Sequence, residues 1–185
     1  VRSITSFHKK QLPKDLFYMD KQGVNLGCKW SQIDSVGLYV PGGLASYPSS
    51  VIMNAVPAVV AKVKRIVLAT PKINSNLNPA VLYAAKKVGI NEIYSFGGTQ
   101  AIGSLAYIQK VSKIVGPGNK FVSEAKRQLS GKTIGVESMF AGPSEICVLA
   151  DRYSNINQIA TSLVSQAEHD YYIKFIQVTL SLIHI

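Results

Sequence analysis

The sequence predicts an α/β fold, a parallel sheet with helices on both faces, and three observations carry that prediction. Short β-branched apolar runs alternate with segments whose apolar residues recur at helical spacing. One run, "RIVLAT" (65–70), has a continuous apolar centre, as a strand covered on both faces must have. The runs are punctuated by "PGG", "FGG", "GPGN" and "AGPSE", loops that stop a strand before the next segment begins. Strand and helix in regular alternation form a parallel sheet, and crossover geometry makes the doubly wound form the simplest arrangement.

Taken in order, "SVGLYV" (35–40) is the first strand, and "SSVIMNAVPAVVAKVK" (49–64) is a helix with Ser49 or Ser50 as its N-cap. "RIVLAT" is the second strand. "NPAVLYAAKKVG" (78–89) is a helix with all its punctuation: Asn78 caps it, Pro79 occupies its first position, and Gly89 ends it. "NEIYSFG" (91–97) is a strand, "GTQAIGSLAY" (98–107) a short helix and "VSKIVG" (111–116) a strand. "NKFVSEAKRQLSG" (119–131) is a helix with Gly131 as its C-cap. "TIGVES" and "EICVLAD" add two strands. Ser162 to His169 can be one helix, and "DYYIKFIQVTLSLIHI" has strand-like residues but closes without a turn, cap or polar tail. That ending, with the lack of an initial Met, leads us to expect a truncated chain whose residues after about 170 include some foreign to it.

Bulk composition narrows the function. Of 185 residues, 47% are hydrophobic and 16% charged, enough apolar material for a core and the reverse of a disordered chain. No apolar stretch approaches the length of a membrane span, and "VRSITSFHKKQLPKDLFYMD" is not a secretory signal. Cys28 and Cys147, far apart in a chain without an export signal, are expected to be reduced thiols in a cytoplasmic protein. The formal charge is +10, but the bases are scattered in twos and threes, such as Lys86 with Lys87 and Lys126 with Arg127. No basic block interleaved with aromatics occurs, so we expect no nucleic acid partner and no membrane. A solvated basic surface, or one attractive to phosphate-bearing small molecules, fits the same numbers.

In open parallel sheets ligands sit beyond the carboxyl ends of the strands, where this chain concentrates its Gly- and Pro-rich loops. Helix starts there offer backbone N–H groups to an anion such as a pyrophosphate. Neither G-x-G-x-x-G nor a Walker phosphate loop occurs. The residues alone therefore lead to a polar or phosphate-bearing ligand at the strand tips. In "LVSQAEHD" (163–170), Gln166 and His169 share a helix face at i and i+3. Spacing leaves two readings open, a solvated helix face or half of a metal site, since two ligands do not make a zinc centre. No nucleophile elbow, Cys–His pair or paired acids are present.

At these same residues the sequence resembles one family. "VGLYVPGG", "YPSSVIMNAVPA", "GGTQAI", "GPGN", "AKRQLSG", "AGPSE" and "SQAEHD" follow the order and spacing of histidinol dehydrogenase, from about Val36 to His169. The resemblance implies oxidation of L-histidinol to L-histidine through a bound aldehyde, with two NAD⁺ and a zinc ion (Zn2+), in a homodimer whose sites take residues from both chains. It implies a Rossmann-like domain inserted at 39–143, with 1–38 and 144–185 as incomplete pieces of a second Rossmann-like domain. By motif, Tyr39, Gln100 and Asn119 match the family's NAD contacts, and Ser144 a substrate contact. Gln166 and His169 match two zinc ligands that also touch substrate. The catalytic Glu–His pair and the other two zinc ligands would lie beyond the chain, so none of its residues is assigned as catalytic and the chain alone is expected to be inactive. Two departures stand out: Phe140 where the family usually has proline, and "YYIKF" after "SQAEHD". A related NAD-dependent dehydrogenase of another amino or sulfonated alcohol is the alternative reading.

Overall fold

Residue Ser35 opens the central strand of a five-stranded parallel sheet, the element on which everything up to Phe140 is built. The structure, a computed structural model, describes residues 1–42, 47–132, 134–137, 146–151, 153–167 and 175–179. It divides after Phe140 into two units, Val1–Phe140 and Ala141–Ile185.

In the first unit a helix α1 (Arg2–Lys10) and an antiparallel hairpin, β1 (Leu16–Met19) with β2 (Asn25–Cys28), precede the sheet. The sheet then forms from β3 (Ser35–Tyr39), β4 (Arg65–Ala69), β5 (Glu92–Tyr94), β6 (Lys113–Val115) and β7 (Gly135–Val136), in the order β5-β4-β3-β6-β7. All four pairings are parallel. Helix α2 (Pro48–Val60) joins β3 to β4, and α3 (Pro79–Val88) joins β4 to β5. Helix α4 (Gly98–Gly103), continued by a π-helical turn at Ser104–Ile108, joins β5 to β6, and α5 (Lys120–Leu129) joins β6 to β7.

The two-residue period of the strands divides the core. Val36, Leu38 and Val40 from β3 and its exit, with Leu68 from β4, face α2 and α3, meeting Val51, Ala55, Val81 and Ala85. Tyr39, with Val67 and Ala69, faces the opposite way, toward Ile102, Leu105, Val122 and Leu129. Alternation on a strand covered by helices on both sides is what the uniformly buried β3 requires. The expected α/β architecture is therefore the observed one.

Local details agree in part. Asn78 caps α3, its side-chain oxygen accepting from the Ala80 N–H at 2.9 Å, and Gly89 closes that helix with φ +84°. The cap of α2 is not Ser49 or Ser50: Tyr47 holds the N-cap position and Pro48 starts the helix, because proline's fixed φ and missing N–H suit the first position. Gly131 is not the cap of α5 either; Ser130 is, and Gly131 follows it with φ +75°. Helix α1 and the hairpin were not foreseen. No residue of either is buried, so neither had to follow a core period, and only Ile4 packs against the sheet's core.

The second unit carries β8 (Ile146–Ala150), α6 (Ile156–Ala167) and β9 (Phe175–Thr179), with β8 and β9 paired in parallel. This is a β-α-β element, the building block of a second α/β domain. Both cysteines are free and exposed. Among the described residues no helix is long and apolar enough to cross a membrane.

At the amino edge of the sheet, Arg65 on β4 donates to both carboxylate oxygens of Glu92 on β5, at 2.8–3.2 Å, and to the Gln109 carbonyl at 2.7 Å. The guanidinium holds the Glu92 carboxyl below its ordinary 4.5. A carboxyl depressed on folding stabilises above its unfolded value, and that contribution disappears as pH falls through the folded one. Arg65→Met should therefore flatten the loss of stability below pH 4.5 that the native pair produces, read as urea midpoints across acidic pH. Leu68→Ala, at a fully buried side chain, should cost about 2–5 kcal/mol with little change in the urea m-value.

Candidate functional site at the carboxyl edge of the sheet

The chain leaves β3 in one direction, toward β4 and β5, and returns to the other side of β3 as β6. The point between β3 and β6 is thus the topological switch of the sheet, where the two connections part and open a crevice. Tyr39 ends β3, the "GPGN" turn leaves β6, and the "FGG" turn leaves β5, all at the same edge because the strands are parallel.

Close backbone approaches fasten this edge. β3 pairs with β6 up to Leu38 opposite Val115, which brings Gly116 against Tyr39. A Cβ on Gly116 would lie 2.1 Å from the Tyr39 carbonyl oxygen, and its φ is +113°. No L side chain is compatible with either condition. Pro71, after β4, fits against both Gly42 and Gly97, whose Cβ atoms would meet its ring at 2.5 and 2.7 Å. The loops after β3, β4 and β5 are therefore interlocked by the absence of side chains on the glycines.

The polar groups of the edge are tightly paired. The Tyr39 ring is buried in the core beneath α4, and its hydroxyl accepts from the Gly98 N–H at 3.1 Å, leaving the O–H free to donate. Asn119 caps α5, its Oδ1 accepting from the Phe121 and Val122 N–H groups, both at 3.1 Å. Its amide NH₂ is the part left for a ligand. Gln100 is exposed in the first turns of α4, with Thr99 donating to its Oε1 at 3.4 Å. The Gly116 N–H donates to Glu137 Oε2 at 3.0 Å, and Lys126 Nζ donates to the Gly116 carbonyl. The expectation of helix-start N–H groups awaiting an anion fails at α5, whose first-turn donors Asn119 takes, whereas α2 and α4 carry no side-chain cap. The N–H groups of Gly98, Gly116, Phe121 and Val122 already have acceptors within the chain.

Tyr39, Gln100 and Asn119 thus share one sheet edge, with Tyr39 bonded directly to the turn that precedes Gln100. Ser144 and His169 lie outside the described residues, as does the side chain of Gln166, whose backbone belongs to α6. Among the described residues no group of three or more His, Cys, Asp or Glu could hold a metal ion. A polar hollow along α6 is lined by Asn155, Asn157, Gln158, Thr161, Ser162 and Ser165, none of them titratable.

Lys126 and Glu137 were not read as site residues from the sequence. The signal for Lys126 was present: it falls between Val122 and Leu129 on the buried face of α5, where a lysine is out of place unless its ammonium has a partner. Burial lowers its pKa, partly opposed by the Glu137 carboxylate.

A family model described as histidinol dehydrogenase matches residues 1–184. The chain belongs to the histidinol dehydrogenase family. It is 58% identical over 171 residues to histidinol dehydrogenase 1 of Nostoc sp., covering 90% of this chain and 39% of that protein. Against histidinol dehydrogenase of Rhizobium meliloti the identity is 56% with the same coverage. A crystal structure of histidinol dehydrogenase from Elizabethkingia anophelis superposes with a TM-score of 0.88 at 39% identity, over 97% of this chain and 42% of that one. The chain spans about two fifths of the length of the relatives it matches.

Two glycines with positive φ separate conformation from crowding. Gly89→Ala meets open space and should cost about 1 kcal/mol through φ alone. Gly116→Ala adds overlap with the Tyr39 carbonyl and should shift the urea midpoint well beyond that of Gly89→Ala.

Proposed function

We propose that the complete protein oxidises L-histidinol to L-histidine through L-histidinaldehyde, as the family's name implies, and that this chain carries the nicotinamide side of its site. The observation that carries the reading is the identity of 54–58% over nine tenths of the chain. Taking a primary alcohol to a carboxylic acid removes two hydrides in succession, so two NAD⁺ are consumed for each product.

Tyr39, Gln100 and Asn119 are assigned to NAD. The donor set at the strand tips fits a dinucleotide: a phenol O–H and two amide groups, on turns held too rigidly to collapse into the crevice. Because the first-turn N–H groups of α5 are already bonded, the Asn119 side chain carries the polar contact there. Ser144, Gln166 and His169 are assigned to the substrate, with Gln166 and His169 also holding zinc. An imidazole nitrogen and an amide oxygen are chemically competent as two of its ligands. Bound zinc would act as a template for the substrate's amine and imidazole nitrogens. The remaining ligands and the acid–base pair are assigned to sequence outside this chain, and the complete protein is assigned a homodimer. We propose further that residues 39–143 form a domain inserted into a second one that takes in 1–38 and 144–185, a boundary that falls within β3. A sheet core to which residues before Ser35 add only Ile4 supports that division.

Histidinol-dependent NADH formation by the complete protein should require both zinc and His169. His169→Asn should lower kcat by at least about a hundredfold, as loss of a metal ligand or its close support does, and reduce bound zinc measured by atomic absorption. Full turnover in that variant, or none in the zinc-loaded wild type, would sink the reading.

A further inference from the structure

We propose that Lys126 and Glu137 are positioning residues, which together hold Gly116 and so fix the 116–119 turn in the form that receives the cofactor. The proposal rests on the assignment of Asn119 and Tyr39 to NAD.

Gly116 is required by the approach of β6 to the Tyr39 carbonyl, and that requirement creates a difficulty. Glycine has the widest choice of backbone conformations of any residue, and no side chain by which neighbours can hold it. The β3–β6 ladder has already stopped at Val115, while the helix cap does not begin until Asn119. The turn between them is held neither by the ladder nor by the cap.

Both polar groups of Gly116 are nevertheless held, and by opposite charges. Its N–H donates to the Glu137 carboxylate at 3.0 Å, and its carbonyl accepts from the Lys126 ammonium. The two partners come from different elements: Lys126 from the inner face of α5, two turns past the helix start, and Glu137 from the chain just beyond β7. Glu137 is itself placed by its backbone N–H, which donates to the Ile114 carbonyl at 3.1 Å. The pair thus ties the turn to the helix behind it and to the edge strand beside it.

Lys126 is 4% exposed, and its buried ammonium donates inward, to the Gly116 carbonyl. Burying an ammonium is costly, and an apolar side chain at this helix position would pack without that cost. What an apolar side chain lacks is a donor for the Gly116 carbonyl. The charge serves the turn, and through the turn Asn119 and the Tyr39 carbonyl.

The test uses the complete protein with Lys126→Met, Glu137→Ala and Glu137→Gln. NAD⁺ and histidinol affinities are measured separately by calorimetry, and amide hydrogen exchange is followed over residues 115–120. Loss of a charged hydrogen bond to the turn should weaken NAD⁺ binding about tenfold in Lys126→Met and Glu137→Ala, with faster exchange across the turn. Histidinol affinity, zinc content and kcat at saturating NAD⁺ should stay within about twofold of the wild type. Glu137→Gln keeps an acceptor oxygen for the Gly116 N–H and should restore both NAD⁺ affinity and slow exchange. If Lys126→Met does not fold, the two Glu137 variants decide by themselves. Unchanged NAD⁺ affinity in the folded variants, or histidinol affinity falling in parallel, overturns this proposal alone. A wild type that binds histidinol but no NAD⁺ overturns the cofactor assignment and this proposal with it.

Discussion

A single backbone contact, Gly116 against the carbonyl of Tyr39, sets the shape of the carboxyl edge. It lies at the switch point of the sheet, where the connections from β3 and β6 leave in opposite directions. Only a residue without a Cβ lets β6 run alongside β3 to its last position and then turn away at once. The contact has consequences on both sides. Tyr39 is fixed by its own backbone as well as by its hydroxyl on Gly98, while the "GPGN" turn starts from a defined point and delivers Asn119 to the cap of α5. One steric condition therefore couples three of the turns that border the crevice.

The two edges of the sheet are built from different chemistry. At the amino edge, long side chains reach across strands: Arg65 joins β4 to β5 and to the end of the π-helical turn through Glu92 and Gln109. At the carboxyl edge the fastening is glycine against proline and glycine against carbonyl, with side-chain groups drawn back onto backbone atoms. Glycine-rich turns are usually entropically costly to order. Here that cost is offset by interlocking, because Pro71 fills the space that Gly42 and Gly97 leave, and its ring has little freedom to lose. A crevice walled this way keeps its shape without bulky side chains that a dinucleotide would have to displace.

How much of this was legible in the sequence follows from what each residue does. Asn78, Pro79 and Gly89 were read correctly because capping is decided within a few residues of chain. β3 and β4 were read from their apolar runs, since burial on both faces leaves no alternation of polar residues along Val36–Tyr39 and Ile66–Ala69. Ser49 and Ser50 misled because two hydroxyl residues follow Pro48, and the proline's preference for the first position outranks a side-chain cap. Helix α1 and the hairpin went unread for the opposite reason: neither buries a residue, so no apolar run marks them. At the site, the motif resemblance led to Tyr39, Gln100 and Asn119 at one edge, whereas local reasoning could not foresee that Asn119's oxygen would cap its own helix. Ser144 and His169 lie outside the described residues, as does the Gln166 side chain, so their assignment still rests on the motifs alone.

The commitment of the loop N–H groups bears on how a phosphate-bearing ligand is received at all. In the usual glycine-fingerprint fold, unpaired N–H groups at a helix start meet the pyrophosphate directly. In this chain the first-turn donors of α5 are taken by Asn119, and Gly98 and Gly116 donate to Tyr39 and Glu137. When backbone donors are satisfied within the protein, recognition passes to side chains, and side chains are useful only if the backbone beneath them does not move. That is why a buried lysine and a carboxylate behind the turn can matter to a ligand that neither of them touches.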